Sequence, residues 1–113
     1  MNYKILQRDD LPHDGSTQEF EGIHQDTNVS FIWVDMSPGG TIRLHKHPYE
    51  EIFIIQEGVS TFTVGSGTLE ARAGQIIIVP AEVPHKFMNL SDKQLKQLDI
   101  HVNKQFITDW LED

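Results

Sequence analysis

The chain has 113 residues, 38% of them apolar, a formal charge of −8 with Lys and Arg together numbering 9, and no cysteine. That size fits one compact domain, and the acidic balance argues against a phosphate-backbone partner, so no nucleic acid is expected. Disulfides and thiolate ligands are excluded. No stretch approaches the ~18 apolar residues of a membrane span, and the first residues lack an apolar core of signal-peptide length, so a cytoplasmic protein without a membrane partner is the expectation.

Residues 1–28 are polar and punctuated by Pro12, Gly15 and Gly22. They predict irregular structure with short strands near Tyr3–Leu6 and Thr17–Glu21. Val29–Met36 alternates and ends in the turn signal Ser37-Pro38-Gly39-Gly40. Strands are then predicted at Thr41–His47, Glu51–Glu57, Ser60–Val64, Thr68–Arg72, Gln75–Val79, His85–Leu90 and Lys96–Val102, divided by Gly58, Gly65-Ser66-Gly67 and Ala73-Gly74. Thr108–Glu112 reads as one helical turn. Short strands at this even spacing predict an all-β, antiparallel sandwich or barrel. Ile76-Ile77-Ile78-Val79 does not alternate, so both its faces should be covered, one by the barrel interior and one by a second sheet or subunit.

His45 and His47 stand two residues apart in a strand, so they face the same way and lie about 6.6–6.8 Å apart along it. Pro48 interrupts pairing and lets the chain bend Glu51 towards the same point. His85 follows the apolar run and alternates with Phe87. Composition alone yields about 0.3 His-x-His pairs in such a chain, and the added Glu and Gly requirements make the pattern rare by chance. Three neutral nitrogens and one carboxylate suit a single divalent transition metal: Mn, Fe, Ni, Co or Zn. An octahedral ion would keep about two positions open to water or substrate, whereas a closed tetrahedral Zn would be structural.

The same residues resemble the cupin superfamily. Its first motif, G-x5-H-x-H-x3-E-x6-G, is matched by Gly39, His45, His47, Glu51 and Gly58, and its second, G-x5-P-x-G-x2-H-x3-N, by Gly74, Pro80, His85 and Asn89. Glu82 replaces the glycine of the second motif, which bears on local backbone geometry more than on the metal. The 15 residues between Gly58 and Gly74 resemble the short spacer of compact microbial cupins. The resemblance implies a double-sheet jelly-roll barrel, a homodimer built by sheet-face packing or exchanged N-terminal strands, and one of three functions. These are a metal-dependent dioxygenase acting on a small chelating diketone or enol, a non-redox isomerase, epimerase or lyase acting on a sugar or sugar acid, and a small-molecule-binding sensor without turnover. The expected domain layout is an N-terminal segment 1–28 and a barrel 29–113.

Arg43, Phe53, Ile55, Phe62 and Phe87 are expected to line the pocket, Arg43 because it lies two residues before His45. Tyr49 is placed at the mouth, and Glu50 points away. If Leu98, Ile100 and Val102 face the core, Asp99 and His101 face out. His13 and His24 are expected to be exposed, and Trp33 and Trp110 to be core or interface residues.

Overall fold

A computed structural model describes residues 2–113. Eleven strands form two antiparallel sheets: β1 (His13–Asp14), β2 (Thr17–Phe20), β3 (Ser30–Met36), β4 (Thr41–Lys46), β5 (Glu51–Glu57), β6 (Val59–Val64), β7 (Gly67–Arg72), β8 (Ile76–Val79), β9 (His85–Met88), β10 (Leu95–His101) and β11 (Asp109–Trp110). One sheet has the order β1-β2-β3-β10-β5-β8 and the other β11-β4-β9-β6-β7. This is the jelly-roll expected from the motifs. No helix among the described residues is long and apolar enough to cross a membrane.

Alternation places the core. Val34 and Met36 of β3, Phe53 and Ile55 of β5, Phe62 of β6, Ala71 of β7, Val79 of β8, Phe87 of β9 and Leu95 of β10 form one buried cluster between the sheets. Phe62 meets Phe53 edge-on at 4.9 Å and Phe87 at 5.4 Å between ring centroids, geometries that favour aromatic pairs. Two turns fix the strand ends. Gly58, at φ +84°, turns β5 into β6 where a Cβ would stand 2.4 Å from the Gln94 carbonyl oxygen, so only glycine fits. Asn89 is fully buried; its amide donates to the carbonyls of Met36 and Lys93, and its oxygen accepts from Ser91 N–H and Oγ–H. The motif asparagine thus ties the β9–β10 turn to the end of β3.

Two expectations are corrected here. Tyr3–Leu6 is not a strand, whereas His13–Asp14 pairs with β2, and β2 pairs with β3 of the same chain. The C-terminal segment is strand β11, not a helical turn: Asp109 and Trp110 pair with Lys46 and His45, and Leu111 N–H donates to the Leu44 carbonyl. It covers the free edge of β4, a need that outweighs local helix propensity over so few residues. In β8, Ile77 and Val79 turn inward, but Ile76 and Ile78 are each 62% exposed, so this chain alone does not cover the outer face of that run.

Candidate metal centre

The site lies where four strand ends meet: the end of β4, the starts of β5 and β9, and the end of β10. His45 pairs directly with His85 across β4 and β9, which brings their rings to 4.4 Å between centroids. His47 follows β4 immediately, its ring 4.9 Å from that of His45. Glu51 opens β5 opposite His101 and Val79. His45, His47, Glu51 and His85 are all buried, and each offers one ligand atom within 4.8 Å of the others.

Hydrogen bonds fix the tautomers. Nδ1–H of His45 donates to the Arg43 carbonyl at 2.6 Å, that of His47 to the Ile107 carbonyl at 2.7 Å, and that of His85 to the Val83 carbonyl at 2.9 Å. Each ring so held turns an Nε2 lone pair inward, the usual arrangement of a metal-ligating histidine and its outer hydrogen bond. Glu51 Oε1 sits 3.0 Å from both His47 Nε2 and His85 Nε2. His47 Nε2 is nevertheless a buried atom without a hydrogen-bond partner. Lone pairs converging on a buried carboxylate oxygen call for a cation among them, so the donor set fits a divalent transition metal.

The electrostatics agree. Burial lowers the His45 pKa to about 4, with help from His85 and His47, so this ring is neutral at physiological pH. Burial also works against charging His47, but Glu51 outweighs it and raises that pKa. Burial alone would raise the Glu51 pKa; His101, His47 and His85 overcome it and hold the carboxyl well below the usual range.

A cavity of about 420 Å³ opens above these donors. Ile32, Val34, Ile42 and Phe87 line it beside His45, His47 and Glu51, and Phe106, Thr108 and Trp110 come from the C-terminal segment. Asp14, Glu19 and Asp99 also reach it, and no Lys or Arg does. Asp99 is buried, accepts from Gln97 Nε2–H at 2.8 Å, and has its pKa raised well above the carboxylate range by burial and by Glu51.

Of the expected pocket residues, Phe87 lines the cavity. Phe53 packs beneath the site, 5.7 Å from the His85 ring centroid, while Ile55 and Phe62 belong to the core rather than the pocket. Arg43 is exposed, its guanidinium 4.7 Å over the Trp110 ring. The reason is a β-bulge: Ile42 pairs with Phe87 and His45 with His85, so three steps on β4 match two on β9. Inward parity therefore passes from Ile42 to His45 and skips Arg43. His101 and Asp99 point inward, against expectation, because β10 buries Leu95, Gln97, Asp99 and His101 and turns Lys96, Leu98 and Ile100 the other way. His101 Nε2 lies 3.1 Å from Glu51 Oε2, and Tyr49 Oη lies 2.6 Å from His101 Nδ1. Leu95 and Lys96 held the signal: the charged residue shares its parity with Leu98 and Ile100, the leucine with His101. His13 and His24 are exposed, as expected.

A family model for the cupin domain matches residues 32–101. An uncharacterized protein of Streptomyces coelicolor is 28% identical over 87 residues, 77% of this chain and 80% of its own length. Among solved structures, an oxalate decarboxylase of Lactobacillus farciminis, in a formate complex, superposes with a TM-score of 0.80 at 23% identity over 91% of this chain and 34% of its own. The oxalate decarboxylase of Bacillus subtilis, whose structure was studied for its Mn(II) centres, gives 0.76 at 22% identity over 84% of this chain. This chain spans only 27% of that enzyme.

Proposed function

Since the chain belongs to the cupin family, we propose that it is a metal-dependent enzyme acting on a small, uncharged chelating substrate, a diketone or enol, with dioxygenase chemistry. His45, His47, Glu51 and His85 would hold the metal. When bound, a divalent ion supplies Lewis acidity and, for a redox-active metal, an electron path. The remaining work falls to the chain. Ile32, Val34, Ile42 and Phe87 exclude water on one side of the cavity, and Phe106 and Trp110 bound it on the other. A neutral Asp99 carboxyl is a hydrogen-bond donor for a substrate oxygen.

The observation that carries the substrate class is the cavity wall. Four carboxyl side chains and no Lys or Arg line it, so a dianion entering it meets no balancing charge other than the metal. Oxalate, the substrate in the structural neighbours' names, is such a dianion. An uncharged 1,3-diketone or enol can offer two oxygens without that cost.

The test is calorimetric titration of Mn(II)- or Fe(II)-loaded protein with a neutral β-diketone and with oxalate, beside oxygen-electrode assays of each. Diketone binding at least tenfold tighter than oxalate, with oxygen uptake, is expected; tighter oxalate binding overturns the substrate class. Anaerobic turnover of a sugar would replace the dioxygenase reading by isomerisation, and ligand-induced stabilisation without any turnover would leave a sensor.

A further inference from the structure

We infer that Tyr49 and His101 form a positioning pair that turns Glu51 into a one-oxygen ligand; the role rests on the metal-binding reading above. The direction of the hydrogen bonds carries it. Ile107 N–H donates to Tyr49 Oη at 3.2 Å. The hydroxyl proton is thereby free for His101 Nδ1, 2.6 Å away. With Nδ1 accepting, a neutral His101 ring carries its proton on Nε2, and that N–H faces Glu51 Oε2 at 3.1 Å. One carboxylate oxygen is thus capped by a donor. The other, Oε1, is left facing His47 Nε2 and His85 Nε2 at 3.0 Å each.

The pair is rigidly supported. Tyr49 stacks on the His47 ring at 5.0 Å and 13°, and Phe106 packs edge-on against His101 at 4.9 Å. The Ile107 peptide serves both halves of the site: its N–H orients Tyr49, and its carbonyl takes the Nδ1–H of His47. The C-terminal segment therefore sets the tautomers of two histidines at once. Capping Oε2 disfavours two-oxygen coordination by Glu51 and so preserves an open position for substrate on a six-coordinate ion. His101 stands outside the four-residue donor cluster and acts through Glu51.

Mn(II) titration followed by electron paramagnetic resonance tests this on four proteins: wild type, His101→Leu, His101→Gln and Tyr49→Phe. His101→Leu should bind Mn(II) 10–100-fold more weakly, the range of outer-shell substitutions, and its spectrum should change as the second carboxylate oxygen becomes available. His101→Gln, whose amide N–H can replace Nε2–H, should recover affinity to within about threefold of wild type if the donor rather than the ring matters. Tyr49→Phe should lose affinity less and shift the spectrum in the same sense, because His101 is then free to change tautomer. Should His101→Leu fail to fold, Tyr49→Phe decides alone. Wild-type affinity and spectrum in Tyr49→Phe and in any folded His101→Leu would overturn the positioning role while leaving the metal reading intact. A wild type that takes up none of Mn(II), Fe(II), Co(II), Ni(II) and Zn(II) overturns both.

Discussion

Replacing Glu51 by Gln should make the metal-free protein more stable and the metal-loaded protein less so. The geometry gives the reason. Glu51 Oε1 stands 3.0 Å from His47 Nε2 and His85 Nε2, while Oε2 faces His101 Nε2 at 3.1 Å. Without a cation, a 97% buried carboxylate meets two imidazole lone pairs, or else draws protons onto buried rings. A glutamine amide turned so that its nitrogen occupies the Oε1 position has two N–H groups for two lone pairs. Its oxygen then accepts from His101. All four groups are satisfied without net charge. Two new neutral hydrogen bonds contribute roughly 1 kcal/mol each. About 2 kcal/mol, or roughly 8 °C at ~4 °C per kcal/mol for a domain of this size, is the expected gain.

With metal the order reverses. Mn(II) at a thousand times its Kd should stabilise the wild type by about 4 kcal/mol, or roughly 16 °C on the same scale, and Glu51→Gln far less, its anionic ligand being lost. Four thermal melts at pH 7.5 settle it: each protein with chelator, and each with Mn(II). The curves should cross, the variant melting above wild type in chelator and below it in Mn(II). A variant that melts well below wild type in chelator, or gains as much from Mn(II), would refute the lone-pair reasoning.

Three further outcomes are expected. Asp99→Asn should stabilise the protein at neutral pH, because burial holds the Asp99 pKa well above its usual value of 3.8 and the unfolded chain ionises first; the stability Asp99 contributes is present below pH 3.8 and lost as pH rises towards the folded pKa, so denaturant melts should show the variant's advantage at pH 7 shrinking by pH 3.5. Glu82 occupies φ +69°, where the motif glycine belongs, and relief of ~1–2 kcal/mol of left-handed strain, less the entropy of glycine and an exposed ion pair with Lys46 at 3.2 Å, makes Glu82→Gly neutral to about 1 kcal/mol stabilising by chemical denaturation; a loss of more than 1 kcal/mol would refute the strain. The outer face of the six-stranded sheet carries two cross-strand apolar rows, Phe31–Ile100–Ile52–Ile78 and Trp33–Leu98–Ile54–Ile76, and light scattering should find a homodimer that Ile78→Lys dissociates, whereas a wild-type monomer at micromolar concentration removes the claim.

The sequence made the barrel and its four donors legible because both rest on short-range rules. Glycine and proline turns delimit strands, a two-residue repeat puts His45 and His47 on one face, and the motif spacing adds Glu51 and His85. What it hid depended on pairing between distant segments. β11 owes its strand to the exposed edge of β4 rather than to its own composition, so a helical turn was the better local guess for Thr108–Glu112 and the wrong one. The cavity rim came with it: Phe106, Thr108 and Trp110 reach the cavity from a segment 60 residues from His47, and the Ile107 carbonyl fixes the His47 tautomer.

Parity explains the misplacing of Arg43 and of the two faces of β10. Counting by twos from His45 back to Arg43 crosses the β4 bulge and so selects a residue that the bulge turns out to solvent. In β10 the face that passes for core is the wrong one: Leu98 and Ile100 belong to an outer sheet face, whereas the inward row carries Gln97, Asp99 and His101. An apolar face ordinarily marks the interior because burying it is what drives folding. Here the inward row is the polar one: His101 stands on Glu51, Asp99 lies in the cavity wall, and Gln97 supports Asp99 with a hydrogen bond. Burying that row costs stability that Leu98 and Ile100 would not have cost, and the cost is compensated only if the row acts on something held between the sheets. The inversion of β10 therefore points to the same centre as the histidine motif, from a strand that itself carries none of the motif residues.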